Sequence, residues 1–137
     1  MNTTTAPSNS TRSAAPKIPL ISIVDDDDSV RQALKSLIDS VGFRAEVFGS
    51  GEEYLNSPHV YQTDCLIADV RMPGMSGLEL QDRLNAANLS IPVVFISAHD
   101  DGEARARGLR GGAIAFLQKP FSEDSLLGAI TTCLDKS

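Results

Sequence analysis

The chain has 137 residues, 42% of them hydrophobic, with 18 acidic side chains against 12 basic ones and a net charge of −6. That length and apolar content suit one domain with its own core and exclude a disordered chain, and the acidic balance lacks the basic face that nucleic-acid binding needs. No apolar run approaches the ~20 residues of a membrane span, and no signal-peptide core is present.

Residues 1–17 differ in kind from the rest. They hold seven Ser or Thr, two Pro and no acid, with Arg12 and Lys17 as their only charges. The segment carries +2 and the remainder −8, and its composition predicts a disordered tail. A transit peptide would also be Ser-rich and acid-poor, but one arginine and no amphipathic pattern favour the tail.

Beyond the tail, strand-like and helix-like runs alternate. Residues 18–24 are apolar and β-branched, which predicts a strand, and an acidic loop follows at Asp25 to Asp28. The first helix has Ser29 as its expected cap and an apolar stripe at Val30, Ala33, Leu34, Leu37, Ile38 and Val41, ended by Gly42. Residues 44–48 predict the second strand. Ser50-Gly51-Glu52-Glu53 has the pattern of a capping box opening a short helix that Pro58 curtails. Residues 65–68 predict the third strand, and the third helix begins near Gly77 and runs through Leu80, Leu84 and Ala87. Residues 92–96 predict the fourth strand. The fourth helix, near residues 102–110, is the weakest: it contains Gly108, and only Ala104, Ala106 and Leu109 are apolar. Residues 113–117 predict the fifth strand, and the last helix starts at Ser122 with Leu126, Leu127, Ile130 and Leu134. Five strands alternating with five helices predict an α/β, doubly wound parallel sheet filling residues 18–137 as one domain. Cys65 and Cys133 have no metal-ligand spacing and suit small core hydrophobes in a reducing compartment.

The chemistry gathers at the carboxyl ends of the strands. The first ends at Asp25-Asp26, the third at Asp69, the fourth at Ser97, and the fifth leads into Lys119-Pro120. In a parallel sheet these ends share one edge and one cleft. Three acids brought together repel one another, and a hard divalent cation such as Mg²⁺ resolves that conflict. A carboxylate can also serve as a covalent nucleophile towards phosphorus, with Lys119 and Ser97 supporting the phosphoryl oxygens. Each piece alone is ordinary. An acidic run is usually a solvated loop, and a strand-terminal Asp is commonly a turn residue. The specific signal is that all four fall at strand ends within one domain. His59 is expected in an exposed loop, His99 at the cleft rim, Arg71 in solvent at the cleft mouth, and Asp100-Asp101 as the cap of the fourth helix.

These motifs resemble the receiver domain of bacterial two-component response regulators. The matching stretches are Ile23-Val24-Asp25-Asp26, residues 69–77 (Asp69-Val70-Arg71-Met72-Pro73-Gly74-Met75-Ser76-Gly77), Phe95-Ile96-Ser97-Ala98 and Lys119-Pro120-Phe121. They cover residues 18–135 and are closest to the nitrogen-fixation and nodulation regulators. The resemblance implies a flavodoxin-like sheet of order 2-1-3-4-5. It implies Asp69 as phosphoacceptor, and Mg²⁺ held by Asp25, Asp26, Asp69 and the Arg71 backbone carbonyl. It further implies Ser97 and Phe116 as switch residues, Lys119 as the phosphoryl-binding lysine, and a cis bond before Pro120.

The implied partners are a sensor histidine kinase or phosphotransfer protein, and a downstream protein or second copy binding through the fourth helix, fifth strand and fifth helix. No direct nucleic-acid or membrane contact is expected, and the location is cytoplasmic. Many relatives continue into a helix-turn-helix domain, whereas this sequence ends after the fifth helix. The reading is a signalling domain that catalyses only its own phosphorylation and dephosphorylation. Two alternatives stand beside it. One is a Mg²⁺-dependent phosphohydrolase with an aspartyl-phosphate intermediate, where Arg71 occupies the place such enzymes usually give to a second acid. The other is a degenerate receiver acting without phosphorylation, which the full set of site residues disfavours. Phosphorylation is expected to draw Ser97 inward, to let the Phe116 ring fill the vacated space, and to shift a loosely held fourth helix.

Overall fold

A computed structural model describes residues 17–136, so the expected tail lies outside the described residues except for Lys17. In it the alternating runs become β1 (Leu20–Val24), α1 (Asp28–Ser40), β2 (Arg44–Phe48), α2 (Gly51–Leu55), a 3₁₀ turn (Pro58–Tyr61), β3 (Cys65–Asp69), α3 (Gly77–Ala86), β4 (Val93–Ser97), α4 (Gly102–Arg110), β5 (Ala115–Gln118) and α5 (Glu123–Lys136). All strand pairs are parallel, and the sheet order is β2-β1-β3-β4-β5, the expected 2-1-3-4-5.

Strand alternation divides the core in two. Leu66 and Ala68 of β3 face α2, α3 and α4 with Tyr54, Leu80, Leu84 and Phe95. Cys65 and Ile67 face α1 and α5 with Leu34, Ile38, Ile130 and Cys133. Both cysteines are buried and free, as their apolar settings predict. Because both faces are covered, β1, β3 and β4 are buried throughout, which is why they read as unbroken apolar runs.

The helix ends depart from expectation in physical detail. The cap of α1 is Asp27, not Ser29; its carboxylate accepts the N–H groups of Ser29 and Val30, which a longer-reaching acid two residues earlier satisfies better. Ser50 does accept the Glu53 N–H, but Glu53 reaches back to Gly49 rather than to Ser50. The reciprocal capping box sits instead at α3, between Ser76 and Glu79. β5 begins at Ala115 rather than 113. Gly112 adopts φ +103°, and the Ala113 N–H folds back to the Gly108 carbonyl, so the end of α4 consumes the residues expected to open the strand.

The weakly patterned α4 is well anchored. Its small residues Ala104 and Gly108 are its buried ones, and a Cβ at Gly108 would stand 2.9 Å from the Phe95 ring. Buried Gln81 of α3 donates to the Gly108 carbonyl at 2.9 Å. Small residues here allow close approach of α4 to the sheet.

Candidate functional site

Strand pairing carries each chemical group to one edge. Asp69 closes β3 opposite Ile96, and Ser97 closes β4 opposite Gln118. After Asp69 the Val70 N–H still bonds the Ile96 carbonyl of β4, and the loop then turns at Gly74, which takes φ +76°. Gly77 lets α3 start directly against the Asp69 carbonyl, where a side chain would collide.

Asp25 is fully buried and Asp69 is 7% exposed. The Lys119 ammonium joins them, 3.1 Å from Asp25 Oδ2 and 3.2 Å from Asp69 Oδ2. The remaining oxygens take backbone donors: Asp25 Oδ1 accepts the Asp27 N–H at 2.9 Å, and Asp69 Oδ1 accepts the Arg71 N–H at 3.2 Å. Asp26 is exposed, yet one of its oxygens lies within 4.8 Å of carboxylate oxygens of both other acids. The structure therefore brings Asp25, Asp26, Asp69 and Lys119 together. The Lys119-Pro120 peptide is cis.

The electrostatics show the strain of this grouping. Burial, then the neighbouring Asp25 charge, push the Asp69 carboxyl above its ordinary range, while Lys119 and the Arg71 N–H pull it back. Burial works against the Lys119 ammonium, but its bond to Asp25 and the two carboxylate charges outweigh that, and its pKa is raised. One ammonium cannot neutralise three acids. A cluster of hard oxygen donors that repel one another fits a divalent cation of the Mg²⁺ or Ca²⁺ type.

Ser97 is buried beside the cleft, but its hydroxyl accepts the His99 N–H at 3.1 Å, and no hydrogen bond joins it to Asp69 among the described residues. Phe116 is already inside, 7% exposed, its ring 6.3 Å from that of Phe95 and capped by Arg105. In this structure the Phe116 ring thus lies inside while the Ser97 hydroxyl is engaged by the His99 N–H. His99 is exposed, whereas His59 is partly buried against Phe48 in the 3₁₀ turn. Asp101 caps α4 as expected, and Arg71 is exposed at the cleft mouth as expected, with its guanidinium bonded to Asp101 at 2.7 Å. Arg31 escaped the sequence reading. Its guanidinium donates to the Asp25 main-chain carbonyl at 2.6 Å and to Asp28 at 3.0 Å, fixing the acidic loop. Only the Asp28–Arg31 spacing of three on a helix could have pointed to it.

A family model described as the response regulator receiver domain matches residues 21–131. The response regulator protein TmoT of Ectopseudomonas mendocina is 47% identical over 115 residues, 84% of this chain and 52% of that protein. Nodulation protein W of Bradyrhizobium diazoefficiens is 41% identical over 117 residues, 85% of this chain and 52% of that protein. The crystal structure of FixJ-N aligns with a TM-score of 0.82 at 31% identity, across 89% of this chain and 98% of that one. The chain spans about half the length of the curated relatives it matches. The presence of nodulation protein W and FixJ-N agrees with the branch to which the motifs point.

Proposed function

This chain belongs to the response regulator receiver domain family of two-component systems, and from that premise we propose that Asp69 accepts a phosphoryl group from a phosphohistidine on a sensor kinase or phosphotransfer protein. The observation that carries the proposal is the bridging of Asp69 and Asp25 by one ammonium at the open end of the sheet, with Asp26 beside them. An Asp69 oxygen attacks phosphorus, the P–O bond forms as the donor P–N bond breaks, and the imidazole leaves with the bonding pair and takes up a proton. Burial leaves the attacking carboxylate poorly solvated, and Lys119 places its charge where the phosphoryl oxygens arrive. Asp25, Asp26, Asp69 and the Arg71 backbone carbonyl would hold Mg²⁺, which supplies neutralisation of the phosphoryl charge. The Ser97 hydroxyl turns from the His99 N–H to donate to a phosphoryl oxygen.

The chain acts as a signalling domain without a small-molecule substrate of its own, working in the cytoplasm and making no direct contact with DNA or membrane. No helix among the described residues is long and apolar enough to cross a membrane. Residues 18–137 form the receiver unit. Its output is a changed face of α4, β5 and α5, offered to a downstream protein or a second copy. With Phe116 already inside, that change comes from movement of α4. A radiolabelled phosphohistidine donor protein tests the proposal. Label should pass to this chain in Mg²⁺ and fail to pass to Asp69→Asn; equal labelling of the variant would overturn it.

A further inference from the structure

Three arginines tie α4 to its surroundings, each through a different element. Arg107 pairs with Asp82 of α3 at 2.6 Å. Arg105 lies 4.9 Å over the Phe116 ring and donates to that residue's carbonyl at 3.4 Å. Arg71 reaches from the loop between β3 and α3 to Asp101 at 2.7 Å.

The third tie differs from the others in what it connects. Asp101 is the cap of α4: its Oδ1 accepts the Ala104 N–H at 3.1 Å, and its Oδ2 takes the Arg71 guanidinium. The Arg71 N–H meanwhile donates to Asp69 Oδ1 at 3.2 Å. One residue thus touches the phosphoacceptor through its backbone and the first turn of α4 through its side chain. Beside this bridge lies a groove of about 540 Å³, with Val70, Met72, Leu78 and Ala104 among its lining, so the turn has open space along which to move.

We propose that the Arg71–Asp101 ion pair is a latch: it holds the first turn of α4 to the β3–α3 loop while Asp69 is unmodified, and a phosphoryl group on Asp69 releases it by drawing the guanidinium away. The inference rests on the phosphoacceptor reading of Asp69. The Arg71 side chain is 56% exposed, and Asp101 is the only ion-pair partner the structure gives it among the described residues, so it is free to change anion. A phosphoryl group brings a charge of about −1.5 to −2 and several acceptor oxygens, against one unit on a carboxylate already spent on its cap. After release, Asp101 still caps the helix through Oδ1. The first turn is then untethered but not unwound, and α4 can shift as a unit. Arg71 and Asp101 are positioning residues in this scheme, acting through α4.

Amide exchange of residues 102–107 in the full chain, with and without beryllium fluoride in Mg²⁺, tests the latch. Asp101→Asn keeps a capping side chain and removes the charge; Arg71→Gln keeps the backbone contacts. Without beryllium fluoride each variant should speed exchange about two- to fivefold, the weight of an exposed ion pair, and the double variant should go no further. With it, the wild type should speed while these variants gain little more. Arg71→Lys should restore part of the wild-type pattern. Arg107→Gln, which frees α4 from α3 instead, should speed exchange yet keep the response. Additive effects in the double variant, or a full response in Asp101→Asn, overturn the latch. A wild-type response confined to the cleft loops also overturns it while sparing the phosphoacceptor reading, and no response at all overturns the coupling and that reading together.

Discussion

At Asp69 the needs of folding and chemistry conflict. Burial and the Asp25 charge raise its carboxyl, so the ionised group opposes folding at neutral pH in the absence of metal. A carboxyl whose folded pKa exceeds its unfolded one contributes stability below the unfolded value and loses it as pH rises through the folded value. Asp69→Asn should therefore melt higher than the wild type at neutral pH in chelator, with Lys119 still paired to Asp25. The gap should close as the pH falls and the wild-type carboxyl takes its proton. Thermal melts across that range check the sign, and a variant that melts lower at neutral pH contradicts it. Adding Mg²⁺ should stabilise the wild type by mass action and the variant much less. The grouping of Asp25, Asp26, Asp69 and Lys119 was legible because each is a chemically committed side chain at or next to a strand end. Arg31 was not, because a guanidinium that reaches a main-chain carbonyl leaves no pattern in side-chain chemistry. The partner of Arg71 lies thirty residues away on another element, beyond any local spacing rule.

Among the elements, α1 and α4 mark the two limits of sequence reading. The stripe from Val30 to Val41 states its own face, and Leu34 and Ile38 are buried as it requires. The composition of α4 suggests looseness because it does not reveal which face the small residues occupy. Gly108 faces the Phe95 ring. Replacing a helical glycine by alanine ordinarily gains stability, but Gly108→Ala should cost about 1–3 kcal/mol through overpacking. The same replacement in a Phe95→Leu background should cost less. Urea denaturation distinguishes the two cases, and a stabilising Gly108→Ala would mean that α4 yields as freely as its composition suggests. Capping is a smaller effect at the same scale. Ser76→Ala removes the box that starts α3 beside the loop after Asp69 and should cost about 1 kcal/mol, so an unshifted urea midpoint would contradict that role.

Across the whole molecule, the parallel sheet turns local strand ends into one reactive edge. The chain leaves β1 for α1 on one face and β3 for α3 on the other, so the edge opens between neighbouring strands whose connections diverge. The alternation of runs predicts the parallel class from local pattern alone. The order β2-β1-β3-β4-β5 came from the family resemblance, because which strands lie side by side is decided by long-range packing. We propose that this edge serves phosphoryl transfer to Asp69, and intact-mass spectrometry of the chain treated with acetyl phosphate tests that most directly. In Mg²⁺ the account predicts one added phosphoryl group, located at Asp69 by borohydride reduction, and none in chelator. A group found on another residue, or acquired by Asp69→Asn at an undiminished rate, would contradict it.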